Sequence, residues 1–388
     1  MRVAIITENF LPKLDGVTRT LARLLEHLQA GGHQALLLGP DSGMAEYAGA
    51  EVVGTAGLPF PFYPELKFNF FRPLFIRRLG EFQPDIIHLV DPVILGATGL
   101  AAARFFNTPL VSSYHTNLAA YCEHFGFSLL TKPMWQYNRF VHSQCALTFC
   151  PSPSTAAMLR LQGFTHLRIW SRGVDTGLFH PQRRSEAVRA RWLAHRRQPE
   201  QKTVLLYVGR VSWEKNLRLL MQAYREMDHE RCHLVIVGEG PARAEMQQEL
   251  QDVPVTFTGY LQGDALATAY ASADVFAFPS VTETFGQVVL EAMASGLPVA
   301  GLLAEGVCDL VEHERSGLLL NTHRLSDSEQ ATMYRTHLVR LIASVEERKS
   351  MSEAALQEAQ RRSWYEAMEG IVRGYQETIE NARTLVAA

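Results

Sequence analysis

Two carboxylates stand eight residues apart in Glu283-Thr-Phe-Gly-Gln-Val-Val-Leu-Glu291, and the apolar run Ala292-Met-Ala-Ser-Gly follows them. Phe285-Gly286 reads as a turn opening a helix, which puts Glu283 ahead of the helix start and Glu291 about two turns along it. The free N–H groups at that entrance suit a diphosphate, with Glu283 on one side and Glu291 on the ribose side. Arg210 and Lys215 lie in Gly209-Arg-Val-Ser-Trp-Glu-Lys, just past an expected strand end. Two cations there either neutralise a departing diphosphate or are solvated surface charges. His115, in Ser-Tyr-His-Thr-Asn, is either a partner for a sugar hydroxyl or a satisfied structural histidine. Arg172, in Trp-Ser-Arg-Gly-Val-Asp, either contacts phosphate or braces an interdomain loop, and Gly16 either admits a phosphate to the backbone or only turns the chain. Nucleotide-sugar chemistry fits this set.

Such side chains need loops held at the ends of buried strands. Val3-Ala-Ile-Ile reads as a first strand, Leu11 to Gly16 as a loop, Val17 to Ala30 as a helix closed by Gly31-Gly32, and Gln34 to Leu38 as a second strand. Further apolar runs at Asp85–Val90, Pro109–Tyr114 and Leu147–Ser152 alternate with helical stretches, as in a mostly parallel sheet covered on both faces. After the polar, Arg-rich stretch from Gln182 to Lys202 the pattern starts again at Thr203-Val-Leu-Leu-Tyr-Val. It continues through Leu234–Gly238, Val255–Gly259, Val275–Pro279 and Pro298–Ala300. The expected domains are residues 1–185 and 200–360, with a helical tail over 361–388 packing across to the first. Ligands of open α/β sheets lie at the carboxyl ends of the strands, so the loops after Ile6, Val90, Tyr114, Val208 and Phe278 are expected to line a cleft.

The length of 388 residues favours two domains, and 47% hydrophobic with 20% charged residues is the balance of a folded globular chain. A net charge of −3 argues against nonspecific nucleic-acid binding. The five cysteines have no C-x-x-C spacing and make no metal-ligand cluster with histidine, which suggests buried fillers in a reducing compartment. Met1–Glu8 is too short and too soon interrupted by Glu8, Lys13 and Asp15 to read as a signal peptide, and no run of eighteen apolar residues follows, so a soluble or peripherally bound protein is expected. Two aromatic segments, Phe60–Pro73 and Phe125–Trp135, carry Lys67, Arg72 and Lys132 among their aromatics and suit either a membrane surface or the core.

The Gly16 loop, Gly173-Val-Asp, Gly209-Arg with Glu214-Lys215, Gly238-Glu-Gly, Phe278-Pro-Ser and the Glu283 to Glu291 motif occur in an order that resembles the retaining glycosyltransferases of family 4. The resemblance covers nearly the whole chain and implies an α/β protein of the GT-B fold, two Rossmann-like domains facing a central cleft. By the same resemblance the second half holds the nucleotide. Arg210 and Lys215 then lie at the diphosphate, Glu291 at the ribose, Glu283 at donor-sugar hydroxyls, Tyr260 near the base, and Gly209 with the backbone of Phe285, Gly286, Gln287 and Val288 assists. Val111–Asn117, Tyr121–Gly126, Lys132–Trp135 and Arg168–Thr176 look like sulfoquinovosyltransferases that act on UDP-sulfoquinovose and diacylglycerol at a membrane surface. Mannosyl- and glucosyltransferases share several of these words. Where many relatives carry Ala-Gly-Gly, this chain has Ala304-Glu305-Gly306, and Glu305 sits awkwardly beside a sulfonate if it faces the donor.

The expected chemistry is cleavage of the bond from the anomeric carbon to phosphate, with same-face attack by the acceptor hydroxyl and no cofactor beyond the UDP-sugar substrate. No D-x-D pair sits at a strand end, so metal-independent transfer is expected. The expected location is the cytoplasmic face of a membrane, held peripherally. An epimerase or a phosphorylase of similar architecture, and a non-catalytic sugar- or lipid-binding module, are the competing classes. Donor turnover separates the module from the enzymes.

Overall fold

In the computed structural model, which describes residues 1–11, 16–60, 63–69, 72–119, 127–194 and 196–387, strand β1 (Arg2–Thr7) is buried along almost its whole length. Successive side chains of a strand point to opposite faces. Val3 and Ile5 accordingly enter a core with Leu21, Leu24, Leu25 and Leu28 of the helix Gly16–Ala30. Ala4 and Ile6 enter another, with Phe75 and Leu79 of the helix Pro73–Phe82 and with Leu95 and Leu100 of the helix Ile94–Phe106. A strand covered on both faces must be apolar at every position, which is why this run shows no alternation.

The other strands of the first half are β2 (Gln34–Pro40), β3 (Glu46–Tyr47), β4 (Ala50–Thr55), β5 (Gly57–Phe60), β6 (Tyr63–Asn69), β7 (Ile86–Val90), β8 (Leu110–Ser113), β9 (Leu147–Cys150) and β10 (Leu167–Ile169). Eight strands form one sheet in the order β10-β9-β8-β7-β1-β2-β4-β3, antiparallel only between β3 and β4. Ile5 stands opposite both Leu37 and His88. Strands β5 and β6 form a separate antiparallel pair. The side chains of residues 58–71, and with them most of the first aromatic segment, lie outside the described residues, as does the Tyr121–Gly126 motif.

The second half contains β11 (Thr203–Val208), β12 (Cys232–Val237), β13 (Val255–Gly259), β14 (Val275–Phe278), β15 (Val299–Leu302) and β16 (Gly317–Leu320). They make a wholly parallel sheet in the order β13-β12-β11-β14-β15-β16, so the winding reverses between β11 and β14. Loops that leave a sheet at such a reversal diverge and open a crevice for a ligand.

The chain divides into two compact units, Met1–Arg172 with Trp364–Ala388, and Gly173–Ser363. The first division falls before residue 185 because Val174, Phe179 and Leu193 are buried in the second core. The Arg-rich stretch from Gln182 to Lys202, expected as a separator, is built into that unit. Its short helix Glu186–Trp192 is capped by Ser185 and carries the buried Arg189. Arg189 donates to Asp274 Oδ2 at 2.8 Å, to the Ser272 carbonyl at 2.9 Å and to the Lys202 carbonyl at 3.0 Å. At the other end, Met368, Ile371, Val372, Tyr375 and Ile379 recur at helical spacing on Trp364–Ala387 and fill the core beside Leu21 and Leu25. Cys145, Cys150 and Cys232 are buried as expected of fillers, but Cys308 is exposed.

Candidate functional site

The second unit brings Lys215 and Glu283 together at the reversal between β11 and β14. Beyond β11 the chain passes through Gly209 and Arg210, whose carbonyl accepts the Tyr207 hydroxyl at 2.9 Å. A single 3-10 turn, Trp213–Lys215, then carries Lys215 toward the loop after β14. Lys215 Nζ donates to Glu283 Oε1 at 2.7 Å and lies 3.2 Å from Thr282 Oγ1. Ser280 Oγ donates to the same Glu283 oxygen at 3.2 Å. Both charged side chains are mostly buried, at 16% and 20% exposure, which strengthens their attraction and still leaves a way in. Burial, with the Glu283 and Glu214 charges nearby, pushes the Tyr207 phenol well up, so it stays protonated and keeps donating.

The helix after this loop runs Gln287–Ala294 and begins at Gly286, whose left-handed φ of 88° supplies the turn. Val289 and Leu290 donate to the Gly286 carbonyl, so the N–H groups of Gln287 and Val288 precede the first bonds of the helix. Glu291 is only four residues past the helix start, little more than one turn, rather than two. It is buried and accepts the Tyr270 hydroxyl at 3.2 Å. Phe285 is buried, and Gln287 Nε2 donates to the Gly173 carbonyl at 3.1 Å. Tyr260 follows β13 and is 53% exposed. Its loop stands two strand positions from that of Arg210, roughly 10 Å at the usual strand spacing. A Cβ on Gly306 would come 2.7 Å from Phe285 N and 2.9 Å from the Glu283 carbonyl, so the Glu305-Gly306 turn lies directly on the Glu283 loop.

In the first unit, His115 follows β8 and is buried. Its N–H donates to Asp91 Oδ1 at 2.6 Å, and its Nε2 lies 3.0 Å from Ser113 Oγ. Burial and the nearby Arg172 charge hold its pKa well below the ordinary histidine value, so the ring is neutral. Asp91 also accepts the Thr116 N–H at 3.0 Å and the Thr116 hydroxyl at 2.6 Å, and thereby anchors the whole turn after β8. Arg172 is buried, and a Cβ on Gly16 would come 2.7 Å from its Nη1, so the glycine makes room for the guanidinium. Glu8 Oε1 accepts the N–H groups of Leu95, at 2.6 Å, and Val93, at 3.3 Å, tying the end of β1 to the helix after β7. Sequence reasoning passed over Asp91 and Glu8. Their signal was a carboxylate one residue past a buried strand.

The helix Ser128–Ser143 presents Leu129 at 90%, Leu130 at 52% and Phe140 at 56% exposure. Lys132 and Arg139 are exposed on the same helix. No helix among the described residues is long and apolar enough to cross a membrane.

Residues 14–178 match the model of Glycosyltransferase Family 4, and residues 202–336 match that of Glycosyl transferases group 1. A GDP-mannose-dependent alpha-mannosyltransferase of Mycolicibacterium smegmatis is 36% identical over 395 aligned positions, covering 100% of both chains. A sulfoquinovosyl transferase of Arabidopsis thaliana is 34% identical, covering 90% of this chain and 68% of its own. Among solved structures, Anabaena Alr3699/HepE in complex with UDP and glucose superposes with a TM-score of 0.73 at 19% identity, over 97% of this chain and 100% of the other. The likeness extends to the architecture of both parallel sheets, which is the GT-B fold expected from the sequence.

Proposed function

The chain belongs to glycosyltransferase family 4, and we propose that it transfers a neutral hexose, mannose from GDP-mannose, to a glycerolipid hydroxyl with retention of anomeric configuration. The observation that carries the transferase reading is the Lys215–Glu283 pair, held at the reversal of a parallel sheet beside the start of a helix. A diphosphate arriving there meets Lys215, Arg210, the backbone from Gly209 and the N–H groups of residues 285–288. Glu283 accepts donor-sugar hydroxyls, Glu291 the ribose, and Tyr260 faces the base. His115 contributes a hydrogen bond to a sugar hydroxyl. Arg172 braces the start of the helix at Gly16, which fits its burial.

In the reaction the bond between the anomeric carbon and the diphosphate oxygen breaks, and its electrons leave with the nucleotide diphosphate. Lys215 and Arg210 stabilise that growing negative charge. The acceptor oxygen bonds to the same face of the carbon, and its proton passes to the departing phosphate oxygen. Transfer then needs no carboxylate nucleophile.

The full-length mannosyltransferase relative supports the choice of donor. So does Glu305, because its turn rests on the Glu283 loop and a second carboxylate on that turn favours a neutral sugar over a sulfonated one. The Arabidopsis relative supports a second reading, transfer of sulfoquinovose from UDP-sulfoquinovose to diacylglycerol. The exposed apolar and cationic residues of the helix Ser128–Ser143 suit an acceptor met at a lipid surface. The test is mass spectrometry of products from GDP-mannose, UDP-glucose and UDP-sulfoquinovose with diacylglycerol vesicles. A mannosyl lipid from GDP-mannose alone is the expected result; exclusive use of UDP-sulfoquinovose replaces the first reading with the second. No product from any donor, and no hydrolysis, favours a binding module.

A further inference from the structure

We propose that Tyr375, His88 and Ser113 form a positioning chain that fixes the tautomer of His115 and keeps its ring proton on Nδ1. The atoms run in one line through the first unit. The Tyr375 hydroxyl lies 2.6 Å from His88 Nδ1, His88 Nε2 lies 2.9 Å from Ser113 Oγ, and Ser113 Oγ lies 3.0 Å from His115 Nε2. All four residues are buried, and the rings of Phe149 and Trp170 pack on His88. Bulk solvent therefore does not compete for these hydrogen bonds.

The direction of the chain follows from donor accounting. A phenol has one proton, and a buried O–H must find an acceptor. Among the described residues, the acceptor beside the Tyr375 hydroxyl is His88 Nδ1. Burial holds the His88 pKa down to about 3, so its ring is neutral and has one N–H. With Nδ1 accepting from Tyr375, that proton is on Nε2 and is donated to Ser113 Oγ. Ser113 is left with its own O–H to donate, and His115 Nε2 receives it. The proton of neutral His115 is then on Nδ1. The opposite direction strands the phenol proton in the core.

The consequence for transfer rests on the functional reading above, in which His115 meets a sugar hydroxyl. With Nδ1–H fixed, His115 offers that hydroxyl a donor at one nitrogen, and the wrong tautomer offers an acceptor in its place. Tyr375, on the C-terminal helix, thereby acts on the site through three hydrogen bonds and touches no substrate.

The experiment uses the full-length protein labelled with 15N-histidine, with two-bond 1H–15N spectra assigned through His115→Gln. The expected spectrum shows protonated Nδ1 and unprotonated Nε2 for His115. Tyr375→Phe should move both nitrogens toward an average of the two tautomers and lower kcat about tenfold, with the donor KM little changed. Ser113→Ala breaks the last link and should do the same, which covers the case in which Tyr375→Phe fails to fold. A His115 proton on Nε2 in the unmodified protein, or nitrogen shifts unmoved in the folded variants, overturns the proposal. His115→Ala separates the two ideas: full transfer by that variant removes the functional reading of His115, while the nitrogen shifts still decide the chain.

Discussion

Lys215 meets the carboxylate of Glu283 at 2.7 Å, so each charge is partly spent on the other. That pairing offsets the cost of holding two charges in a largely buried place. In the proposed reading a diphosphate would compete for the ammonium and release the carboxylate toward the sugar, which would couple donor binding to the readiness of Glu283. Lys215→Ala should lower kcat about a hundredfold, the usual effect of removing a donor to developing negative charge. Steady-state kinetics, with circular dichroism to verify folding, checks this; unchanged kcat and KM would sink the role. Glu305→Gly should relax donor choice toward an anionic sugar, seen as a higher ratio of UDP-sulfoquinovose to GDP-mannose turnover, because it removes a carboxylate from the turn that rests on the Glu283 loop.

At the scale of elements, the stretch from Gln182 to Lys202 shows how composition misleads. Its many arginines read as a separator between the two halves, but Arg189 is buried with three partners, one of them Asp274. Asp274 Oδ2 also accepts the Val204 N–H at 2.7 Å, so the same carboxylate pins the start of β11. Arg189→Ala removes the nearer cation from that mostly buried carboxylate, which keeps Arg184 at 3.4 Å and the Val204 N–H, and should cost about 2 kcal/mol. Denaturant unfolding and limited proteolysis between Glu186 and Lys202 would report it. Equal stability and equal protease resistance would mean that the helix Glu186–Trp192 is only laid on the unit.

Over the whole molecule, several histidines are buried neutral. Burial holds His88 and His142 down to about 3 and His233 to about 4. Their ordinary value is near 6.5, so above that pH both folded and unfolded chains keep them neutral and stability is complete. As pH falls below 6.5 the unfolded chain takes up protons that the folded chain refuses. Stability is therefore lost from about pH 6.5 down toward 4, at about 1.4 kcal/mol per pH unit for each histidine. Unfolding free energies at pH 7.5, 6 and 5 should fall with this slope, and His142→Gln should flatten it by about one proton. A curve flat over that range would contradict the burial of these rings.

Strand periodicity, the glycine turn at Gly286 and cations placed past strand ends were legible in the sequence because they are local. A buried strand needs an apolar run, a helix start needs a left-handed turn, and both leave marks within a few residues. Those marks were enough for two parallel α/β sheets and for the order of the family motifs. The partner of each charged or polar group was not legible, because partners lie far along the chain. Glu283 is 68 residues from Lys215, and Tyr375 is 287 from His88. Which arginine is buried, which glycine makes room for Arg172, and which unit claims the stretch after Gly173 depend on the same distant packing. Local patterning determines what elements form. Only the folded sheets decide which loop ends meet, and so which of the candidate residues can act together.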